Sequence, residues 1–96
     1  MTVKCFKLVT GEEIVSKYEE SETHVTLNNP TGIMYAGHGK AGFVPFPTFA
    51  SGKPEDIVLN KKVIAYTYEP NLDVLENYEK LTSSIVLPKK EELILG

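Results

Sequence analysis

Apolar and polar residues alternate through much of the first half of the chain, which is the period of a half-buried strand. Over residues 3–9, Phe6 and Leu8 fall on one face and Lys7 on the other. Thr10-Gly11 supplies a turn, glycine being the residue that tolerates positive φ. A second strand is predicted over about 12–20. Ile14 and Tyr18 share a face with the small Ser16, Glu13, Lys17 and Glu19 lie opposite, and Val15 breaks the alternation. Ser21-Glu22-Thr23 turns the chain. A third strand starts near His24, with Val25 and Leu27 facing in and Thr26 and Asn28 facing out. Pro30 cannot donate a ladder bond, so a kink or bulge is expected across Asn29-Pro30-Thr31-Gly32. Residues 33–36 continue extended, and the glycine-rich 37–42 reads as a hairpin tip. Phe43-Val44-Pro45-Phe46-Pro47-Thr48-Phe49 has prolines at alternate positions, which excludes a central strand and leaves an edge or an irregular apolar loop. Residues 50–56 are polar loop.

The second half changes period. Ile57-Val58-Leu59 is a short strand and Asn60-Lys61-Lys62 a tight polar turn. Residues 63–68 are apolar on both faces, so both faces are expected to be covered, one by the core and one by a helix or a neighbouring subunit. A helix follows over about 71–82, with an apolar stripe of Leu72, Leu75, Tyr78 and Leu81 widened by Val74. Asp73 and Glu76 near its start and Lys80 in its last turn suit the helix dipole. Ile85-Val86-Leu87 reads as a short strand stopped by Pro88, and 89–96 as a charged tail. The expected architecture is mostly β: one domain over 1–96, built as a small, strongly bent, five-stranded SH3-like barrel over about 3–69 with an enlarged loop and an added C-terminal helix.

Charge narrows the possible partners. The net charge is −3, and all ten basic residues are lysines. Arginine, the bidentate reader of phosphate and base edges, is missing from the sequence. A nucleic-acid site would therefore be local, built on Lys, polar groups and ring stacking, without whole-molecule attraction to a polyanion. The single cysteine, Cys5, excludes a disulfide within one chain and fits a reducing cytosol. No stretch has the length of a membrane-spanning helix, and residues 1–4 lack a secretory apolar region. A soluble cytoplasmic domain is expected, with no membrane partner.

Catalytic chemistry finds no constellation. Glu12-Glu13 and Glu19-Glu20 are neighbours in strands and point to opposite faces, so they cannot act as pairs. His24 and His38 lack metal-ligand spacing. The 37–42 loop is not a Walker loop, because no helix follows it. Cys5 reads as packing. No nucleophile, base and orienting group assemble. The chain is read as a non-enzyme with no cofactor and no metal. Two polar turns remain. In the first, beside Thr23, His24 offers a ring for base stacking or stays an exposed turn residue. In the second, Asn60 can read a base edge, and Lys61 and Lys62 can contact phosphates or simply solvate an edge. Phe43, Phe46 and Phe49 read as a satellite core under the long loop or, if exposed, as an interaction surface.

The stretch from Gly11 to Leu27 resembles the first motif of the Sm-like (LSm/Hfq-like) family. Gly11 takes the turn glycine, Ile14 the apolar place, Ser16 the place of a second glycine, Glu22 the acidic tip, and Val25 and Leu27 the inward places. His24 falls where a stacking ring is common. Residues 57–59, 60–62 and 63–68 resemble the layout of the second motif. With the phrases at residues 8–15 and 44–50, the chain looks most like the small Sm-like proteins predicted from cyanobacterial viruses (cyanophage). The resemblance implies a closed homo-oligomeric ring of roughly five to seven subunits, here toward the small end, in which the fourth strand of one subunit pairs with the fifth of the next. It implies an oligomer interface at Ile57, Val58, Leu59, Ile64, Tyr66 and Tyr68. It also implies single-stranded RNA bound around the pore at Thr23, His24, Asn60, Lys61 and Lys62, modulating RNA processing or turnover in the cytoplasm of an infected host. The acidic balance and absent arginines leave a second reading open: an oligomeric protein–protein interaction or assembly module of viral origin that binds no RNA.

Overall fold

Six strands and one helix make up the computed structural model, which describes residues 2–50 and 56–83. The strand expected at 85–87 and the tail at 89–96 lie outside the described residues, as does most of the 50–56 loop. The strands are β1 (Thr2–Leu8), β2 (Glu13–Glu20), β3 (His24–Gly37), β4 (Lys40–Pro45), β5 (Asp56–Asn60) and β6 (Ile64–Tyr68). A single 3-10 turn, Lys61–Val63, joins β5 to β6, and α1 (Leu72–Thr82) follows.

The β1–β2 turn forms where the sequence places it. Gly11 has φ +108°, a conformation that a side chain would oppose, and its N–H donates to the Leu8 carbonyl at 2.9 Å. β3 is long because it serves two partners. Residues 24–28 pair with β5 and residues 31–37 with β4, both antiparallel. The change of partner falls at Asn29-Pro30, where Asn29 takes φ +56° and Pro30 has no N–H to give. Beyond the switch, Gly32 lets β4 approach closely: a Cβ there would meet Val44 Cγ2 at 2.7 Å. Opposite, β2 carries an irregularity in its pairing between Val15 and Lys17.

The strand order is β4-β3-β2-β1-β6, with β5 also on β3. Two expectations change. The five-stranded barrel is a six-stranded antiparallel sheet, because part of the enlarged loop folds back as β4. And the barrel is not closed: among the described residues no ladder joins β5 to β6. The intervening turn brings β6 back against β1 instead of against β5.

Apolar residues bury on both faces of this sheet. On one face Phe6, Leu8, Ile14, Val25 and Leu27 form the inner core, with Tyr18, Phe46, Ile57, Leu59, Val63 and Ile64 packed against it. On the other, Cys5 and Val15 are covered by Val74 and Tyr78 of α1, flanked by Val3, Ile33, Ala41 and Phe43. Val15, which interrupts the alternation of β2, does so because its face is covered by the helix. Each large apolar side chain fully buried in these layers contributes about 1.5–3 kcal/mol. The helix buries only part of its expected stripe. Val74 and Tyr78, four residues apart, face the sheet, while Leu72 and Leu81 are 68% and 51% exposed. Asn71 caps the helix, its side chain accepting from Val74 N–H at 2.9 Å.

The covering expected for residues 63–68 is only partial. Val63 and Ile64 are half-buried, but Ala65, Tyr66, Thr67 and Tyr68 are exposed. Within one chain the helix lies over β1 and β2 instead of over β6.

Candidate nucleic-acid interface

The two polar turns meet. His24 and Asn60 are directly opposed in the β3–β5 ladder. The Lys61 N–H donates to the Thr23 carbonyl at 2.9 Å, which staples one turn to the other. Each turn is also fixed internally. Asn60 Oδ1 accepts from Lys62 N–H at 2.9 Å and caps the 3-10 turn. Thr23 Oγ1 lies 2.7 Å from His24 Nδ1. Ser21 and His24 bond to each other through Ser21 N–H to the His24 carbonyl at 2.9 Å and His24 N–H to Ser21 Oγ at 3.1 Å.

These bonds decide what the site has left to offer. Asn60, an exposed residue, has its carbonyl oxygen engaged, which leaves its amide N–H groups as the donors it can offer. His24 has Nδ1 engaged and presents its ring and Nε2 at an exposed position. Lys61 is paired with Glu20 at 2.8 Å, and this hydrogen bond, with the Lys61 charge, holds the Glu20 carboxyl below its ordinary range. The pair is exposed and screened by solvent, so an approaching phosphate can compete for the ammonium. Lys62 is exposed and has no carboxylate partner among the described residues. The arrangement can therefore offer a ring, an amide donor and one or two ammonium groups to a strand with acceptor-rich edges and phosphates.

The six residues expected at a subunit interface divide by face. Ile57, Leu59 and Ile64 pack against the chain's own inner core. Val58, Tyr66 and Tyr68 point away, 61%, 54% and 37% exposed. The Tyr66 and Tyr68 rings lie 6.0 Å apart. Tyr68 donates its hydroxyl to Glu13, which also lies 3.5 Å from Lys7 Nζ. Partial desolvation, reinforced by that bond, pushes the Tyr68 hydroxyl pKa up.

Other candidates fall elsewhere. Phe43 and Phe46 join the two cores, whereas Phe49 is almost wholly exposed. His38 sits at the β3–β4 hairpin tip with φ +54°, away from the paired turns. Among the described residues no group of His, Cys, Asp and Glu is placed to hold a metal ion, and no helix is long and apolar enough to cross a membrane.

One constellation escapes sequence reasoning. Ser16, fully buried at the β2 irregularity, has its Oγ 2.6 Å from the Lys17 carbonyl and 3.1 Å from that of Asn28. Tyr78 reaches the same spot from the helix. Its hydroxyl accepts from Lys17 N–H at 3.1 Å and lies 3.2 and 3.0 Å from the Asn28 and Asn29 carbonyls. The two hydroxyls satisfy the backbone groups freed where β2 bulges and β3 changes partner. Burial raises the Tyr78 hydroxyl pKa, as it does that of the neighbouring Cys5 thiol. No pattern in the sequence announces a bond across 61 residues.

No protein-family model matches the chain, and no curated protein sequence matches it.

Proposed function

We propose that the protein is a ring-forming Sm-like protein that binds single-stranded RNA and modulates its processing or turnover. The observation that carries this reading is the stapling of the Thr23–His24 turn to the Asn60–Lys62 turn, which makes one site of two segments far apart in sequence. The strand edges support the assembly part of this reading. β5 and β6 each present an unpaired edge within the described residues, joined by a three-residue turn. Exposed strand edges carrying Val58 and Tyr66 are templates for pairing with another chain. Adding the β5 edge of one copy to the β6 edge of the next, repeated around a closed rotation, leaves no such edge and repeats the turn pair around the pore.

The Lys61–Glu20 pair favours a second reading, an oligomeric assembly module that takes a protein partner and no RNA, because it removes one of the two cations from the site. Binding of U-rich and A-rich single strands to the intact protein at about 50 and 200 mM salt separates the two. RNA binding that weakens with salt, with a slope reduced by about 0.7 when Lys62 is changed to Glu, supports the RNA reading. No binding of either strand at the lower salt leaves the assembly module.

A further inference from the structure

A cleft of about 250 Å³ opens between the β3–β4 hairpin, the end of β6 and the start of α1. Tyr68 and Tyr35 bring rings to its lining, Met34 a thioether, Glu13 and Asp73 carboxylates, and Lys40 an ammonium. No residue of the paired turns lines it. Tyr68 and Tyr35 are 37% and 74% exposed, which leaves ring surface open to a ligand.

The Tyr68 ring is the wall best suited to a charge. Its hydroxyl donates to Glu13, which fixes the ring and makes it richer in electrons. The negative face of such a ring attracts a cation, and a carboxylate beside it adds to the attraction. On Tyr18 that place is taken by the Lys4 ammonium, 5.8 Å from the ring centroid. No ammonium lies over Tyr68 or Tyr35 among the described residues.

Charge and size select the occupant. Two carboxylates against one ammonium leave the lining at a net −1, on a chain of net charge −3. Lys7 reaches Glu13 from outside the lining at 3.5 Å, in a partly exposed pair that solvent screens. Other grooves have one half of this chemistry. The groove along the end of α1, with Glu76, Glu79 and Lys80, has the same charge balance but no ring. The groove lined by Phe43 and Phe46 has rings but no charged residue. A cation with N–H groups is strongly hydrated, whereas one covered by methyl groups sheds water readily and suits a wall of rings and a thioether. The volume is below the ~300–1000 Å³ of pockets for drug-sized ligands, so the guest is small.

We propose that this cleft binds a small quaternary ammonium cation, its methyl groups against the Tyr68 ring and Met34 and its charge balanced by Glu13 and Asp73.

The test is titration of the intact protein with choline chloride, followed by proton NMR, with sodium chloride at matching concentrations as the reference. Half-occupancy is expected at or below about 10 mM choline, with the choline methyl resonance moving upfield as it meets a ring face. The neutral isostere, in which carbon replaces the ammonium nitrogen, is expected to bind at least about tenfold more weakly. Tyr68→Leu, with an unchanged circular dichroism spectrum, is expected to weaken choline binding about tenfold. Lys40→Gln removes the opposing ammonium from an exposed position and is expected to tighten binding about threefold, a gain that no loss of folding can mimic. Three results overturn the proposal: no response beyond that of sodium chloride by about 50 mM choline, equal binding of the neutral isostere, or unchanged choline binding in either variant. The titration contains no RNA and the cleft shares no residue with the paired turns, so a failure of this proposal and a failure of the RNA reading are told apart.

Discussion

Two regions of the sheet, the middle of the path at β2 and β3 and the strands β5 and β6, deal with backbone groups in opposite ways. Where β2 bulges and β3 changes partner, Ser16 and Tyr78 bring hydroxyls to the displaced N–H and C=O groups, and α1 covers the site. At β5 and β6 the ladder stops, and the exposed side chains are apolar or aromatic: Val58, Tyr66 and Tyr68. The first region is satisfied within one chain. In the second, β5 pairs only with β3 and β6 only with β1 among the described residues. The contrast teaches that, under the proposed assembly, the stability of the subunit and its pairing with a second copy would reside in separate parts of the same sheet, so that each is expected to be altered alone.

Removing the Tyr78 side chain breaks the satisfied region most severely. Tyr78→Ala opens a cavity under the helix and is expected to cost about 3–5 kcal/mol in denaturant unfolding. Tyr78→Phe keeps the ring and removes only the hydroxyl, leaving Lys17 N–H without its partner, for an expected loss of about 1–3 kcal/mol. Ser16→Ala is expected to cost about 1 kcal/mol, because the Asn28 carbonyl keeps Tyr78 as a neighbour. A pH series sharpens the same point. Tyr78 has a raised pKa in the folded state, so the native protein holds its proton more tightly than the unfolded chain does. Stability from this group is present below the ordinary tyrosine value of about 10 and is lost as pH rises beyond it. Tyr78→Phe is expected to flatten that alkaline decline. Val58→Asp lies at the other end of the comparison. Its side chain is exposed, so the unfolding free energy of the single chain is expected to change by no more than about 0.5 kcal/mol, while edge pairing is disfavoured.

Much of this fold is legible in the residues. Alternation locates β1, β2 and the start of β3, Gly11 locates their turn, and Pro30 marks the break in β3, because these signals act over a few residues. The helix over 72–82 is legible for the same reason, and Val74 and Tyr78 of its apolar stripe are buried, but Leu72 and Leu81 are left exposed, since tertiary contact with Cys5 and Val15 sets the rotation. β4 was obscured by Pro45 and Pro47, which mark an edge without saying that Lys40 to Pro45 pairs with β3. The candidate site was legible as two polar turns, Thr23-His24 and Asn60-Lys61-Lys62. Their junction through Lys61 N–H and the Thr23 carbonyl, and the pairing of Lys61 with Glu20, depend on long-range folding that local pattern does not encode.

The most direct measurement is the mass of the intact protein in solution, by sedimentation equilibrium, beside that of Val58→Asp. The expected result is a mass roughly five to seven times that of the 96-residue chain, falling toward a single chain in the variant while its circular dichroism spectrum is kept. A single-chain mass for the unaltered protein across a tenfold range of concentration would contradict edge-to-edge assembly, and with it a site repeated around a pore.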